Sequence, residues 1–344
     1  MTAGSKQPVN DPAGNSPLVT VVIPACNEER TIADAINSVL RQSFTDFELI
    51  VIDDGSSDAT AAIAASLQDA RLQVLSFENK GLAASRNRGI RRAAGTLIAF
   101  LDADDLWTPD KLRSQVETFR QHPDAALVYS WTDCIDDHNR FLRHGSHVYA
   151  EGDVYRTLLS RNFMDNGSAP MVRKRAFDEV GLFDESYRAG EDWDMWLRLA
   201  DRYPFACVPS VQVLYRIRSN SLMSDVERQF ECVTAILDKG LERLPASPER
   251  ERIRRIATAN IYKYLSVRLL ETGNTRQNGL QAGRYLWSFL TTTPTPFRHA
   301  GKVLLIAGAV LAMLTLPPAF YARLREYAIV LSRKRAHIMT PGIR

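Results

Sequence analysis

The sequence predicts an α/β fold, a mostly parallel sheet flanked by helices, on three observations. Short apolar runs rich in β-branched residues recur over 18–24, 48–53, 72–77, 97–101 and 126–131. The first four are each followed by a stretch of helical periodicity, and strands alternating with helices imply parallel pairing with both faces covered. The runs are also nearly continuous in apolar character rather than alternating, the pattern of strands buried on both sides.

Taken in order, the elements support that reading. After segment 18–24 comes Asn27-Glu28-Glu29 and a helix through Leu40, with Ile32, Ile36, Val39 and Leu40 on one face. Segment 48–53 turns at Gly55-Ser56-Ser57-Asp58 into an Ala-rich helix that Ser57 or Asp58 would cap. Strand 72–77, helix 81–94, strand 97–101 and helix 109–121 follow; Thr108 is the expected N-cap of the last, with Pro109 at the first helical position. After Asp133 the alternation fades into a mixed region up to Met223 that includes a helix over 191–203, the irregular kind of segment that shapes a substrate site. Residues 226–290 read as two or three amphipathic helices. The expected organisation is a disordered tail over 1–16, a catalytic α/β domain over 17–225, a helical appendage over 226–297, and an apolar then basic membrane-associating segment over 298–344.

Composition narrows the function classes. With 344 residues, 45% hydrophobic and 24% charged, the chain is an ordinary globular one. Its first sixteen residues lack an apolar h-region and do not read as a secretory signal, so the catalytic part is expected in the cytoplasm. Cys26, Cys134, Cys207 and Cys232 are scattered without C-x-x-C spacing, which argues against a structural zinc site or a disulfide framework. A net charge of +3 gives no nucleic-acid footprint. Residues 303–321 carry no charge, and the run over 303–316 is almost wholly apolar before Pro317-Pro318. A spanning helix needs about 20 apolar residues, so an in-plane or re-entrant anchor is the better reading. Basic residues follow it, Arg323, Arg325, Arg333, Lys334, Arg335 and Arg344 against the single acid Glu326, a bias that suits an anionic membrane surface on the cytoplasmic face.

The chemistry gathers at strand ends. Asp102-Ala103-Asp104-Asp105 puts three carboxylates within four residues just as an apolar strand stops. Hard divalent cations, Mg2+ or Mn2+, take such oxygen ligands together with substrate phosphates. Ligands in open α/β sheets collect outside the carboxyl ends of the strands. Pro24-Ala25-Cys26-Asn27-Glu28, Asp53-Asp54-Gly55-Ser56, and Asn79-Lys80-Gly81 with Arg86-Asn87-Arg88-Gly89 lie at the other ends. Each suits part of a nucleoside diphosphate: Asp54 can accept the N3–H of a uracil, acids near the first strand can hold ribose hydroxyls, and Lys80, Arg86 and Arg88 can bring positive charge. Singly each has a bland alternative, a turn, a helix start or a solvated helix face.

In this order the motifs resemble family 2 glycosyltransferases of the GT-A fold. The resemblance covers about 19–223 and includes Gly190-Glu191-Asp192-Trp193-Asp194-Met195-Trp196-Leu197. It implies a Rossmann-like mixed sheet rather than a purely parallel one, with the helical appendage behind it. It implies an inverting enzyme that moves a sugar from a nucleotide-diphosphate sugar, a UDP-sugar by preference, to an acceptor hydroxyl. A membrane-associated tail on a cytoplasmic catalytic domain points to a glycan or lipid-linked acceptor, in cell-surface polysaccharide or lipid-linked glycan synthesis, with protein or small-molecule acceptors left open. The donor-binding set becomes Pro24, Cys26, Glu28, Asp54, Lys80, Gly81, Arg86, Asp102, Ala103 and Asp104, with Asp104 the direct metal ligand and Asp102 helping to hold metal or ribose. The resemblance transfers the acceptor-deprotonating base to Asp192, with Glu191 a close rival. Trp193 and Trp196 are expected to pack rather than to stack on sugar. A nucleotidyltransferase would need a glycine-rich loop after the first strand, and 24–30 has no glycine. A catalytically silent scaffold is disfavoured by the presence of Asp102, Asp104, Glu191 and Asp192.

Overall fold

The computed structural model describes residues 16–164, 166–217, 226–273, 275–294 and 300–324. The expected tail over 1–16 falls almost entirely outside them, as do Met223 and the basic residues beyond 324. Through the first half, β1 (Val19–Ala25), α1 (Ile32–Leu40), β2 (Phe47–Asp53), α2 (Thr60–Ser66), β3 (Leu72–Ser76), α3 (Leu82–Arg92) and β4 (Leu97–Phe100) alternate as the sequence predicts. Then come β5 (Leu106–Trp107), α4 (Lys111–Gln121), β6 (Leu127–Ile135), β7 (Phe141–His144), α5 (Tyr155–Ser160), β8 (Met171–Arg173), α6 (Lys174–Val180), α7 (Glu191–Ala200) and β9 (Phe205–Arg216). Four helices complete the chain: α8 (Val226–Glu242), α9 (Pro248–Thr272), α10 (Arg276–Thr292) and α11 (Ala300–Thr315).

The strands form one sheet in the order β3-β2-β1-β4-β8-β6-β9-β5, with β7 added beside β6. Pairs β1–β2, β1–β4, β2–β3 and β6–β9 are parallel, whereas β8 runs antiparallel to both β4 and β6. Six strands therefore share one direction, and the sheet is mixed, as the resemblance implies and the bare periodicity does not. The three-residue β8 slips between β4 and β6, so the carboxyl ends of β1, β2, β4, β6 and β9 all lie along one edge.

Two apolar layers sandwich this sheet. Ile32, Ile36 and Val39 of α1 pack with Val21, Ile23 and Leu49 on one side; Val22, Ile50, Phe100, Trp196 and Leu197 occupy the other. Ile236, Leu237 and Leu241 of α8 and Ile253, Ala257, Ile261 and Leu265 of α9 are buried in that second layer. The first two helices of the expected appendage thus complete the catalytic core instead of hanging from it.

Helix starts differ in detail from expectation. α4 begins at Lys111 with Asp110 as N-cap. Thr108 instead donates its hydroxyl to Gln212 of β9, so tertiary pairing takes the side chain that local capping would have used. For α2, the N-cap is Ala59 rather than the expected Ser57 or Asp58; Asp58 lies one residue before it, its carboxylate accepting the Thr60 N–H at 2.9 Å.

Candidate active site

The loop after β1 and the loop after β2 are laced together before either meets a ligand. Asn27, at φ 56°, accepts the Ser57 N–H at 2.8 Å and donates its own N–H to Ser56 Oγ at 3.0 Å. Glu28 N–H donates to Thr60 at 2.6 Å, and Thr31 Oγ1 donates to the Glu28 carboxylate at 3.0 Å. Cys26 accepts from Asn79 Nδ2 at 3.3 Å, and burial, then the Asp54 charge, push its thiol up. Pro24 is buried at the end of β1.

Asp54 lies deeper, at 3% exposure. Its carboxylate accepts the backbone N–H groups of Lys80 at 3.0 Å and Gly81 at 2.7 Å, and Arg88 Nη1 donates to it at 2.7 Å. Gly81 can turn the chain around this carboxylate because its φ of 94° belongs to glycine. Asp54 thus fixes the 79–81 loop, with its carboxylate held by three donors. The Lys80 side chain is exposed beside it.

Helix α3 organises the rest. A Cβ on Gly89 would lie 2.3 Å from Val22 Cγ1, so only glycine lets α3 approach β1 this closely. That approach sends three successive side chains to three destinations. Arg88 reaches Asp54; Asn87 Nδ2 donates to Phe183 O at 2.9 Å and Glu185 Oε1 at 2.8 Å, fixing the loop before α7. Arg86, 2% exposed, donates from Nη2 to Asp102 Oδ1 and from Nη1 to Glu191 Oε1, both at 2.8 Å. The reading of Arg86 and Arg88 as a solvated helix face is therefore overturned. Burial opposes the Arg86 charge, but Asp102 and Glu191 outweigh it and hold the guanidinium firmly protonated.

One guanidinium consequently ties the acidic motif after β4 to the acidic start of α7. Asp102 and Asp104 are half-buried and Ala103 is buried between them. Asp102 N–H donates to Ser168 Oγ at 3.0 Å, and Ser168 donates to Asp105 at 2.6 Å. Asp105 is fully buried and also accepts the Arg216 N–H at 3.0 Å. Burial, then the Asp104 and Asp102 charges, push it well above the usual carboxylate range. The third acid of the motif is thus a buried structural pin. Arg216 completes the support by donating from Nε to Asp104 O at 2.7 Å and from Nη1 to Asp136 O at 2.9 Å.

At α7, Glu191 is committed to Arg86, whereas Asp192 is half-buried and accepts the Trp193 N–H at 2.7 Å. Burial, then the adjacent Glu191 charge, push Asp192 up to about 7 against the pull of Arg86. Trp193 and Trp196 are buried, and Trp193 Nε1 donates to Leu158 O at 3.1 Å, so both are packing residues. Ser168, Arg216 and Gly167 are functional neighbours that sequence reading missed. A Cβ on Gly167 would sit 2.3 Å from Arg86 Nη2. Only contacts made across the fold reveal them.

The profile of the family described as "Glycosyltransferase like family 2" matches residues 20–239. The chain belongs to glycosyltransferase family 2. Among curated proteins it is 29% identical over 245 residues to chondroitin synthase of Escherichia coli, a match covering 67% of this chain and 34% of that one. It is 28% identical to the E. coli UDP-Glc:alpha-D-GlcNAc-diphosphoundecaprenol beta-1,3-glucosyltransferase WfgD, covering 66% of this chain and 89% of that one. It is 33% identical to the succinoglycan biosynthesis protein ExoO of Rhizobium meliloti, covering 62% and 65%. The chain thus spans only about a third of the synthase. The crystal structure of S. aureus TarS 1-349 shares its fold, with a TM-score of 0.58 at 16% identity, covering 95% of this chain and 93% of that one. The same TarS fragment in complex with UDP-GlcNAc gives 0.57, covering 86% and 89%.

Proposed function

We propose that this glycosyltransferase is an inverting enzyme that moves a sugar from a UDP-sugar to a hydroxyl of a lipid-linked glycan or growing polysaccharide at the cytoplasmic face of a membrane. The observation that carries the proposal is the Asp102–Arg86–Glu191 bridge, which leaves Asp192 beside it as the carboxylate suited to a base. The UDP-GlcNAc complex of TarS and the lipid-diphosphate acceptor in the name of WfgD support the choice of donor and acceptor classes.

In this reading Asp54 and the 79–81 loop receive the uracil, while Glu28 and its neighbours after β1 line the nucleoside. Asp102 and Asp104 offer only carboxylate oxygens, a donor set that fits Mn2+ or Mg2+, and they would hold it. Such a cation, when bound, neutralises charge on the departing diphosphate. Arg86 keeps Asp102 turned toward that place and takes up the charge of Glu191, so that the negative charge available at the head of α7 is that of Asp192. Asp192 takes the acceptor proton as the oxygen attacks the anomeric carbon from the face opposite the leaving group, and the configuration inverts. A base near 7 matches neutral pH, where it is both deprotonated and basic enough to be useful.

The test pairs binding with turnover. Titration of UDP and GDP into the protein with and without Mn2+ should show metal-dependent UDP binding that Asp104→Ala abolishes. Asp192→Asn should bind UDP as the unaltered protein does but lose transfer by about 10²–10⁴-fold. Proton NMR of the product should show a β-linkage from an α-linked donor. Full transfer by Asp192→Asn, or a product that retains the donor configuration, would overturn the mechanism; GDP preference would overturn the donor assignment.

A further inference from the structure

We propose that Asp133, His144 and His147 form a second cation site, separate from the Asp102–Asp104 pair, that takes a divalent transition metal of the zinc class. Their ligand atoms all lie within 4.8 Å of one another. His144 Nδ1 is 3.0 Å and His147 Nε2 2.8 Å from the same oxygen, Asp133 Oδ1. A tetrahedral ion with bonds of about 2.0–2.2 Å spaces its ligand atoms about 3.3–3.6 Å apart, so each imidazole nitrogen needs to draw back from Asp133 Oδ1 by only about half an ångström to admit one.

The backbone sets each donor independently. Asp133 and His144 are direct partners in the antiparallel register of β6 and β7, and the register shifts just beyond them, between Cys134 and Ile135. Such irregularities re-aim side chains at sheet edges. His147 lies flat on Trp131, two residues before Asp133 and so on the same face of β6, with ring centroids 4.9 Å apart and planes 10° apart. Trp131 in turn donates its Nε1–H to Val148 O at 3.1 Å, fixing the chain next to His147. Gly145 N–H continues the pairing to Thr132 O at 3.0 Å.

The donor set decides the kind of ion. Two imidazoles and one carboxylate favour zinc-class metals over Mg2+ or Ca2+, in contrast to the all-oxygen pair after β4. The side chains of His144 and His147 are 59% and 29% exposed and that of Asp133 13%, so an ion can enter and keep water on its open side. The cluster stands at the carboxyl end of β6, on the same edge of the sheet as the donor site. Arg216 links that edge by bonding Asp136 O and Asp104 O together. An ion here would clamp β7 and the chain after it to β6.

Cobalt reports this site without reference to turnover. Untagged full-length protein titrated with Co2+ should develop visible d–d bands that saturate at one ion per chain and disappear on adding Zn2+. Calorimetry with Zn2+ should show affinity reduced at least tenfold in His144→Ala and in Asp133→Asn, and unchanged in Asp104→Ala. Circular dichroism of each variant establishes that it is folded, and the exposed His144→Asn serves as the second variant if His144→Ala is not. Absence of the cobalt bands at equimolar metal, or Zn2+ binding that survives the His144 and Asp133→Asn substitutions or is lost in Asp104→Ala, would overturn the site and leave a pair of imidazole hydrogen bonds to Asp133.

Discussion

Arg86 concentrates the consequences of a single residue. It is buried with two carboxylates on it, and the breaking of a buried pair leaves an uncompensated charge that costs about 3–5 kcal/mol. Its other neighbour is a glycine: a Cβ at position 167 would meet Nη2 at 2.3 Å and the central guanidinium carbon at 2.9 Å. The guanidinium cannot yield without releasing Asp102 or Glu191, because each holds a different nitrogen. Gly167→Ala should therefore act as an overpacking substitution, costing about 1–3 kcal/mol, and should also misalign the site. Scanning calorimetry should show Tm lowered by a few degrees, and steady-state kinetics a fall in kcat larger than any rise in the donor KM. A normal kcat in a destabilised Gly167→Ala protein would mean that the Arg86 bridge is structural only.

At the scale of elements, α7 sets the pH response. Asp192 is raised to about 7 by burial and by the Glu191 charge, and Arg86 pulls it down. A base acts only when deprotonated, so the rate should fall as pH drops through about 7 and level off above it. Glu191→Gln removes a neighbour that raises Asp192 and frees Arg86 to lower it further. Both changes act in the same direction, and the acid limb of the kcat profile should move to lower pH with activity retained at pH 8. Loss of all activity in Glu191→Gln would instead make Glu191 the base. The elements also differ in how readable they were. Strands β1, β2 and β4 are legible because each is a short apolar run buried on both faces; β3, at the sheet edge and only half-buried, is legible from its apolar residues and the helix that follows it. β8 is not, since three residues carry no period and its place between β4 and β6 is settled by tertiary pairing. The same division holds in the site. Asp54, Asp102, Asp104, Glu191 and Asp192 sit in local motifs; strand order places the first three along one edge, and Arg86 brings the head of α7 to them. Ser168 and Arg216 reach Asp105 across 63 and 111 residues, and nothing in the chain near either one announces the partner. The role of Arg86 was read as charge for a ligand; its two carboxylate partners lie 16 and 105 residues away, which local reading does not connect.

At the scale of the whole molecule, helix α11 leaves an apolar face uncovered. α11 buries Val310 and Met313 against the preceding helices, while Leu304 and Leu311 on its opposite face are 72% and 62% exposed. Gly308, between them, has open space around it, and Leu305, Phe320 and Trp287 are exposed too. No helix among the described residues is long and apolar enough to cross a membrane, and the 16 residues of α11 extend about 24 Å, short of a hydrocarbon core. An exposed apolar face of this kind, beside Lys302 and Arg323, is suited to lie in the interface plane, where apolar burial and attraction to anionic lipid add. Under the proposed lipid-linked acceptor, this face would bring the enzyme to the surface that carries its substrate. Leu304→Ser with Leu305→Ser and Leu311→Ser removes exposed apolar area without touching the buried face, so the fold should be kept. Flotation with anionic vesicles should show binding reduced several-fold, sensitive to salt, with transfer to a water-soluble acceptor unchanged and transfer to a vesicle-borne acceptor reduced. Equal vesicle binding by the triple variant and the unaltered protein would remove α11 from the membrane contact and leave acceptor access to be explained by the catalytic edge alone.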